Sequence, residues 1–591
     1  MYFLLEGYQS IVVIRRAKFW LILSNIAIAA GVLLSYLTPA VTYEYNLYTS
    51  TPSIVWGLLF GSVAIAVIVS LSRQSSLQLA SVLTLLLVGT VILLLPLFRG
   101  YYIYGTGDSF THLGWLQDIA TGTLDPSNFR YPILHLQSLA LSTVADFSLR
   151  HGIYLGAVSY TLVLVAACPL FARTITRRRR PTIIVAIVAT SFFPIINILV
   201  ANVSAQPASQ SAIYFVLPAY LLYKTVDEPS YRNYALVICT GFVLTLLHPH
   251  RGVTLILYAV GLLATVYLTD VDAALKRSKI HLISSILVLG LIVWLWIEGQ
   301  LVRSLGIILV SIFYINPGNA GVTTGVVSVA TQAGVNPVSL TLRAFAAPII
   351  FTLTSTIFIL NTFTDYSKEF SKRSFRLFGG MVTLFIFFVF SVVAGIFMSF
   401  RNLTPLLALG VVTGGIGLFQ LSETLHMDRR VTKNTVVAIV LLLALTLSGA
   451  TIHDSNYIFQ RNAHVTQAQM EGYDTSFEYW NEENHFAAIR AQPQRYKHAL
   501  YGVEETRELN YSGTPYRLPR YSFIPSHMAN QSLDSVYPRG QKIVVTRMDR
   551  QYYDKTLGGF RYNRSDFAYL NTTDHVGRTY SSGNFVVYTV M

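Results

Sequence analysis

The sequence predicts a polytopic α-helical membrane protein of about thirteen spans with a small C-terminal extracellular α/β domain. Three observations lead there. Of 591 residues, 53% are hydrophobic and 12% charged, about half the charged share of an average soluble protein. Long apolar runs recur from end to end of the first 451 residues, and a transmembrane helix needs roughly 20 such residues. Beyond residue 451 the apolar runs become short and alternate with polar residues, as in strands. This composition excludes a soluble enzyme, a disordered chain and a nucleic-acid-binding module. Cys168 and Cys239 both lie inside apolar runs, so no disulfide framework or cysteine-ligated zinc site is present. The net charge of +14 belongs to the membrane part: residues 1–451 hold 28 Lys+Arg against 15 Asp+Glu, and the tail is nearly balanced.

In chain order the spans fall near 19–38, 53–71, 77–97, 152–172, 181–200, 207–223, 233–247, 252–269, 280–297, 344–361, 377–399, 403–421 and 434–451. The first follows Arg15, Arg16 and Lys18 and runs on into a second span, which does not fit a cleaved signal peptide. Positive residues stay in the cytoplasm. With the N-terminus inside, cytoplasmic loops hold 21 Lys+Arg and outer loops 7, the strongest run being Arg177–Arg180. The protein is thus expected in the cell membrane, multi-pass, with its C-terminus extracellular.

Parity requires an odd number of crossings between Phe98, outside, and Arg177, inside. Of the two apolar runs between them, 133–147 contains His135, Gln137, Ser138 and Asp146, so it is the one expected to lie along the outer surface. The run 304–315 is read the same way. Six N-x-[ST] sequons, at Asn202, Asn402, Asn510, Asn530, Asn563 and Asn571, all fall on the predicted outer side. The uncharged segment Asn316–Leu340 is either a lid over an outer cavity or a plain connection. Three parts result: N-terminal helices 1–76, a transmembrane domain 77–451 with an outer loop at 98–151, and a C-terminal domain 452–591. Within the last, Phe477–Ala491 reads as a helix, and Lys542–Thr546 and Phe585–Tyr588 read as strands.

Chemistry is expected where polar groups gather at the outer membrane edge. Outer carboxylates are few: Glu44, Asp108, Asp118, Asp125, Asp146 and Glu298. Gly105 and Gly107 free the backbone before Asp108, which stands where a helix cap would. His112, four residues on, shares its helix face. Asp108 and His112 could form a general base with a second polar group, or a cap and a solvated histidine. Asp118 lies almost three turns later and is the alternative carboxylate. Tyr131-Pro132 opens the surface helix. His248, His250 and Arg251 interrupt two short spans and could bind a phosphate, or form an ordinary turn. His248 and His250 lack a third ligand, so no metal is predicted. Arg401 stands alone at an outer helix start, as a phosphate fork or as a snorkelling side chain.

An acidic outer loop, a surface helix opened by Tyr131-Pro132, a basic cytoplasmic turn and a late Arg401-Asn402-Leu403-Thr404-Pro405 together resemble the GT-C superfamily of membrane glycosyltransferases, over about residues 77–421. The stretch Asp108–Asp118 looks most like archaeal members that use dolichyl-phosphate sugars. The ending Arg578–Tyr588 is similar to the terminal strand pair of such proteins. The resemblance implies inverting transfer of a sugar, mannose among the candidates, from a polyprenyl- or dolichyl-phosphate donor. The acceptor is a glycan or lipid-linked glycan at the outer face, as in protein glycosylation. It implies Asp108 as the base, Arg401 at the donor phosphate and Tyr131 at the substrate. The acidic loop follows the third span here, which makes two spans an N-terminal addition. The tail has Tyr479-Trp480-Asn481-Glu482 where oligosaccharyltransferases carry Trp-Trp-Asp-Tyr-Gly. A glycan polymerase or ligase, an oligosaccharyltransferase-like enzyme, and a lipid-linked sugar flippase are the competing readings. A flippase predicts charges inside the spans, and those are scarce.

Overall fold

The computed structural model describes residues 2–72, 74–105, 107–191, 203–269, 290, 331–364, 369–393, 399–424, 430–479, 486–490, 493–508, 524–530 and 533–591. Among these, eight helices are long and apolar enough to cross a membrane: Arg15–Leu37, Ser53–Ser70, Ser75–Leu93, Leu149–Thr176, Pro249–Thr269, Pro337–Thr364, Glu369–Val393 and Arg401–Thr424. Ile133–Ala145, Tyr231–Leu247 and Lys433–Gly449 are shorter apolar helices. The protein is a multi-pass membrane protein. The span expected at 207–223 is instead two helices, Pro207–Tyr214 and Val216–Asp227. Pro218 explains part of this, because it has no N–H to donate into the turn before it. The run at 280–297 apart from residue 290, the run at 304–315, most of 316–340, and the sequons at Asn202 and Asn510 lie outside the described residues.

Polar contacts sort the helix ends into two sets. On one side, Arg177 pairs with Asp227 at 2.6 Å, Arg180 pairs with Glu423 at 3.0 Å, and Arg376 lies 3.7 Å from Asp227. Arg179 donates to the Ser75 carbonyl on the same side. On the other side, the segment after the first helix meets the C-terminal domain. There the Glu44 N–H donates to His464 Nδ1, the Tyr43 hydroxyl to the Asn462 carbonyl, and the Tyr48 hydroxyl to the Gly449 carbonyl at the end of the helix Arg430–Gly449. Strand β1 (Ile103–Tyr104) pairs antiparallel with β2 (His464–Val465), tying the loop after the third span to the same domain.

The C-terminal domain holds a four-stranded sheet of β3 (Phe486–Ala488), β4 (Lys542–Thr546), β5 (Val576–Ser582) and β6 (Phe585–Val590) in the order β3-β4-β6-β5. β3 and β4 are parallel, and the other neighbours are antiparallel. Alternation along β4 and β6 sends Ile543, Val545, Tyr588 and Val590 into one core. Val544, Phe585 and Val587 face the other way, into the core shared with the membrane helices. The sheet is therefore buried on both faces, and all five residues of β4 are buried. The strands at Lys542–Thr546 and Phe585–Tyr588 stand where the alternation put them. The helix expected over Phe477–Ala491 does not: Gln467–Tyr479 is the helix, and Phe486–Ala488 is strand β3. Pairing with the buried strand β4 overrides local helical preference there.

Candidate active site

The loop helix Asp108–Thr121 begins after Gly107, whose φ of +61° is a left-handed setting that suits glycine. Gly107 occupies the cap position and no side chain bonds there. Asp108 is thus the first helical residue, and the cap role considered for it is not what the structure shows. A carboxylate in a first turn is favoured by the helix dipole. Its side chain is 53% exposed and lies 2.9 Å from the Arg495 guanidinium of the C-terminal domain.

His112 shares the helix face with Asp108 but not its surroundings. It is buried, with Nδ1 3.2 Å from His135 Nε2. Trp115 and Tyr131 close around it at ring separations of 5.3 and 5.9 Å. Burial, followed by the neighbouring His135, holds His112 well below the usual histidine range, and burial lowers His135 to about 4. The expected Asp108–His112 pair is therefore replaced by two separate arrangements, an Asp108–Arg495 ion pair and a neutral histidine pair.

Asp118 is 3% exposed and accepts from the backbone N–H groups of Val503 at 2.8 Å and Glu504 at 3.0 Å. It satisfies the first turn of the helix Val503–Glu508 in the C-terminal domain. Other outer carboxylates are similarly engaged. Glu44 takes Arg99 and the Tyr101 hydroxyl, and Asp125 accepts from the Ser127 N–H. Asp146 ends the surface helix Ile133–Ala145 in a left-handed conformation.

Tyr131 precedes that surface helix and bridges two parts of the site. Its ring stacks on His248 at 6.0 Å with an interplanar angle of 23°. His248 ends the helix Tyr231–Leu247, and its Nδ1 is buried without a hydrogen bond. His250 Nε2 lies 2.6 Å from Asn402 Oδ1, and Asn402 Nδ2 donates to Ser391. Arg251 is 1% exposed. Its NH2 donates to the Arg401 carbonyl at 2.9 Å, while Nε and NH1 have no partner. Arg401 sits on the short 3-10 turn Ser399–Leu403 leading into the helix Thr404–Thr424. It forms no ion pair among the described residues. Tyr131, His248, His250, Arg251 and Arg401 are joined in one contact chain. The described residues hold no cluster of three metal-ligating side chains.

Two participants were not singled out from the sequence. Asn402 stands in the sequence as a sequon and as a member of the Arg401–Pro405 run without a role of its own, and Arg495 carries no local signal that separates it from other tail arginines. Only the fold brings Arg495 to Asp108.

Fold and site together define a multi-pass helical membrane protein with a polar site on the side of the membrane helices that carries the C-terminal domain. No protein-family model and no curated protein matches the sequence. Among solved structures, the chain is similar to ArnT from Cupriavidus metallidurans bound to undecaprenyl phosphate, at 11% identity and a TM-score of 0.47, over 86% of this chain and 97% of that one. It is also similar to the archaeal oligosaccharyltransferase AglB from Archaeoglobus fulgidus, in complex with an inhibitory peptide and a dolichol-phosphate. There the identity is 12% and the TM-score 0.46, over 86% of this chain and 74% of that one.

Proposed function

We propose that the protein is an inverting membrane glycosyltransferase that moves a sugar from a polyprenyl-phosphate carrier to a hydroxyl of a glycan or lipid-linked glycan. The observation that carries this reading is Arg251: a buried guanidinium that has, among the described residues, no carboxylate partner and two unbonded nitrogens, with Arg401, likewise without an ion pair there, beside it. An uncompensated buried charge costs several kcal/mol, and an anion at the site would remove that cost. Arginine forks onto phosphate oxygens, and a site at the membrane edge suits a phosphate on a lipid tail.

Asp108 supplies the other half. Glu44, Asp118 and Asp125 are held in structural bonds, whereas Asp108 is half-exposed and pairs with Arg495. In the proposed step the acceptor hydroxyl oxygen attacks the anomeric carbon. Its proton passes to the Asp108 carboxylate, and the carbon–oxygen bond to phosphate breaks. The lipid phosphate leaves with the electron pair, and Arg251 and Arg401 stabilise its charge. Attack opposite the leaving group inverts the anomeric centre. His112 and His135, neutral and paired with each other, hold the aromatic wall and take no proton. The proposed orientation places this site on the extracellular face.

The test uses the full chain in lipid nanodiscs with radiolabelled polyprenyl-phosphate hexoses and glycan acceptors. Transfer with inversion is expected from the wild-type protein. Asp108→Asn should lose ~10²–10⁴-fold in rate while still binding polyprenyl phosphate. Wild-type protein that binds no polyprenyl phosphate, or an Asp108→Asn protein with full activity, would overturn the reading.

A further inference from the structure

The Asp108 carboxylate is exposed, follows a glycine and has no cap to hold it. A base that takes a proton in the transition state must be held in one geometry. Among the described residues its one ion-pair partner is Arg495, on the helix Pro493–Tyr501 of the C-terminal domain. Arg495 is itself braced, because its NH1 donates to the Thr111 hydroxyl, which lies 3.1 Å from His498 Nδ1. The loop helix and the helix Pro493–Tyr501 meet along a close seam. A Cβ on Gly114 would collide with the His498 carbonyl, Gln117 donates to the Ala499 carbonyl at 3.0 Å, and Phe110 packs on Tyr496 at 4.5 Å. The seam fixes the height of Arg495 relative to Asp108 along the loop helix.

We infer that Arg495 is a positioning residue for Asp108, so that the C-terminal domain completes the catalytic site; this rests on Asp108 being the base. Arg495 touches neither phosphate nor sugar. It acts by holding Oδ1 of Asp108 and leaving the other oxygen for the acceptor proton.

The experiment compares wild type, Arg495→Ala, Arg495→Lys and Thr111→Val as full chains in nanodiscs. It reads kcat, donor KM, polyprenyl-phosphate affinity and Tm. Arg495→Ala should lose on the order of 10²-fold in kcat, the size expected for a misplacement of about 1 Å. Donor KM, phosphate affinity and Tm should stay near wild type. Lysine keeps the charge without the fork and should recover part of the rate. Thr111→Val, which removes only the brace, should lower kcat by a smaller factor. Wild-type kcat in Arg495→Ala, a loss confined to Tm or donor KM, or a lysine variant as slow as alanine would each overturn the inference. Wild-type protein that transfers no sugar from the lipid donor would instead remove the base assignment beneath it.

Discussion

At the residue scale, Arg251 and His135 make opposite demands on their surroundings. Arg251 is buried with Nε and NH1 unbonded and no carboxylate beside it among the described residues, so its burial lowers the stability of the ligand-free protein. Arg251→Met keeps much of the volume and removes the charge. The variant should melt at or above the wild-type temperature without ligand, yet bind polyprenyl phosphate roughly 10–100-fold more weakly, the loss expected for a hydrogen bond to a charged group. Thermal shift with and without polyprenyl phosphate checks both halves, and a variant that is less stable but binds normally would make Arg251 structural. His135 is buried and lowered from 6.5 to about 4. Between those values the unfolded chain binds a proton that the folded chain refuses, so stability falls as pH drops from about 6.5 to about 4. Buried His112 adds to the same slope. Melting temperatures measured over that range should fall less steeply for His135→Gln than for wild type. Arg401 stands out in the sequence as a lone arginine at an apolar boundary and Arg251 as part of the His248–Arg251 turn, and the structure brings the two into contact. Arg495 was not legible in the sequence, because its meaning depends on a contact 387 positions away from Asp108 in a polar tail.

At the element scale, the loop helix Asp108–Thr121 behaves as part of two structures. It packs on the helices Ile133–Ala145 and Leu149–Thr176, and it docks on the C-terminal domain. Asp118 belongs to the second role. Its Oδ2 accepts two backbone N–H groups at the start of Val503–Glu508. Asp118→Ala should destabilise the protein by about 1–2 kcal/mol, as loss of a helix cap does, and Asp118→Asn by less. Unfolding in denaturant measures both. A stable Asp118→Asn protein without activity would restore Asp118 as a candidate base. Gly114→Ala drives a methyl group into the His498 carbonyl and should separate the two helices, lowering Tm and activity together. Membrane helices were readable because about 20 apolar residues in a row have few other fates. The break at Phe215 and strand β3 were not, since both depend on neighbours. Pro207–Tyr214 packs on Leu149–Thr176 and on Thr404–Thr424, and β3 exists through its pairing with β4.

At the scale of the whole molecule, the polar contacts described above for the helix ends fall into two groups among the described residues. Arg177, Arg180, Asp227, Arg376 and Glu423 bond among themselves. The segment 43–48, the strand β1, and the loop helix bond with the C-terminal domain, and Arg251 bonds to Arg401 within the same outer group. A chain whose successive apolar helices join alternate groups has two faces separated by a membrane thickness. The contacts do not say which face is cytoplasmic; the proposed orientation rests on the 21-to-7 distribution of Lys and Arg, because positive loops tend to be retained inside. The two arguments are independent and can fail separately. A reporter active only in the cytoplasm should work when fused after Arg180 and be silent when fused after Met591. The same result at both positions would contradict the two-sided contact pattern itself. A reversed result would leave that pattern intact and overturn the orientation, moving Asp108, Arg251 and Arg401 to the cytoplasmic face. There a nucleotide sugar becomes an available donor, and the argument for a lipid carrier would rest on the buried arginine alone.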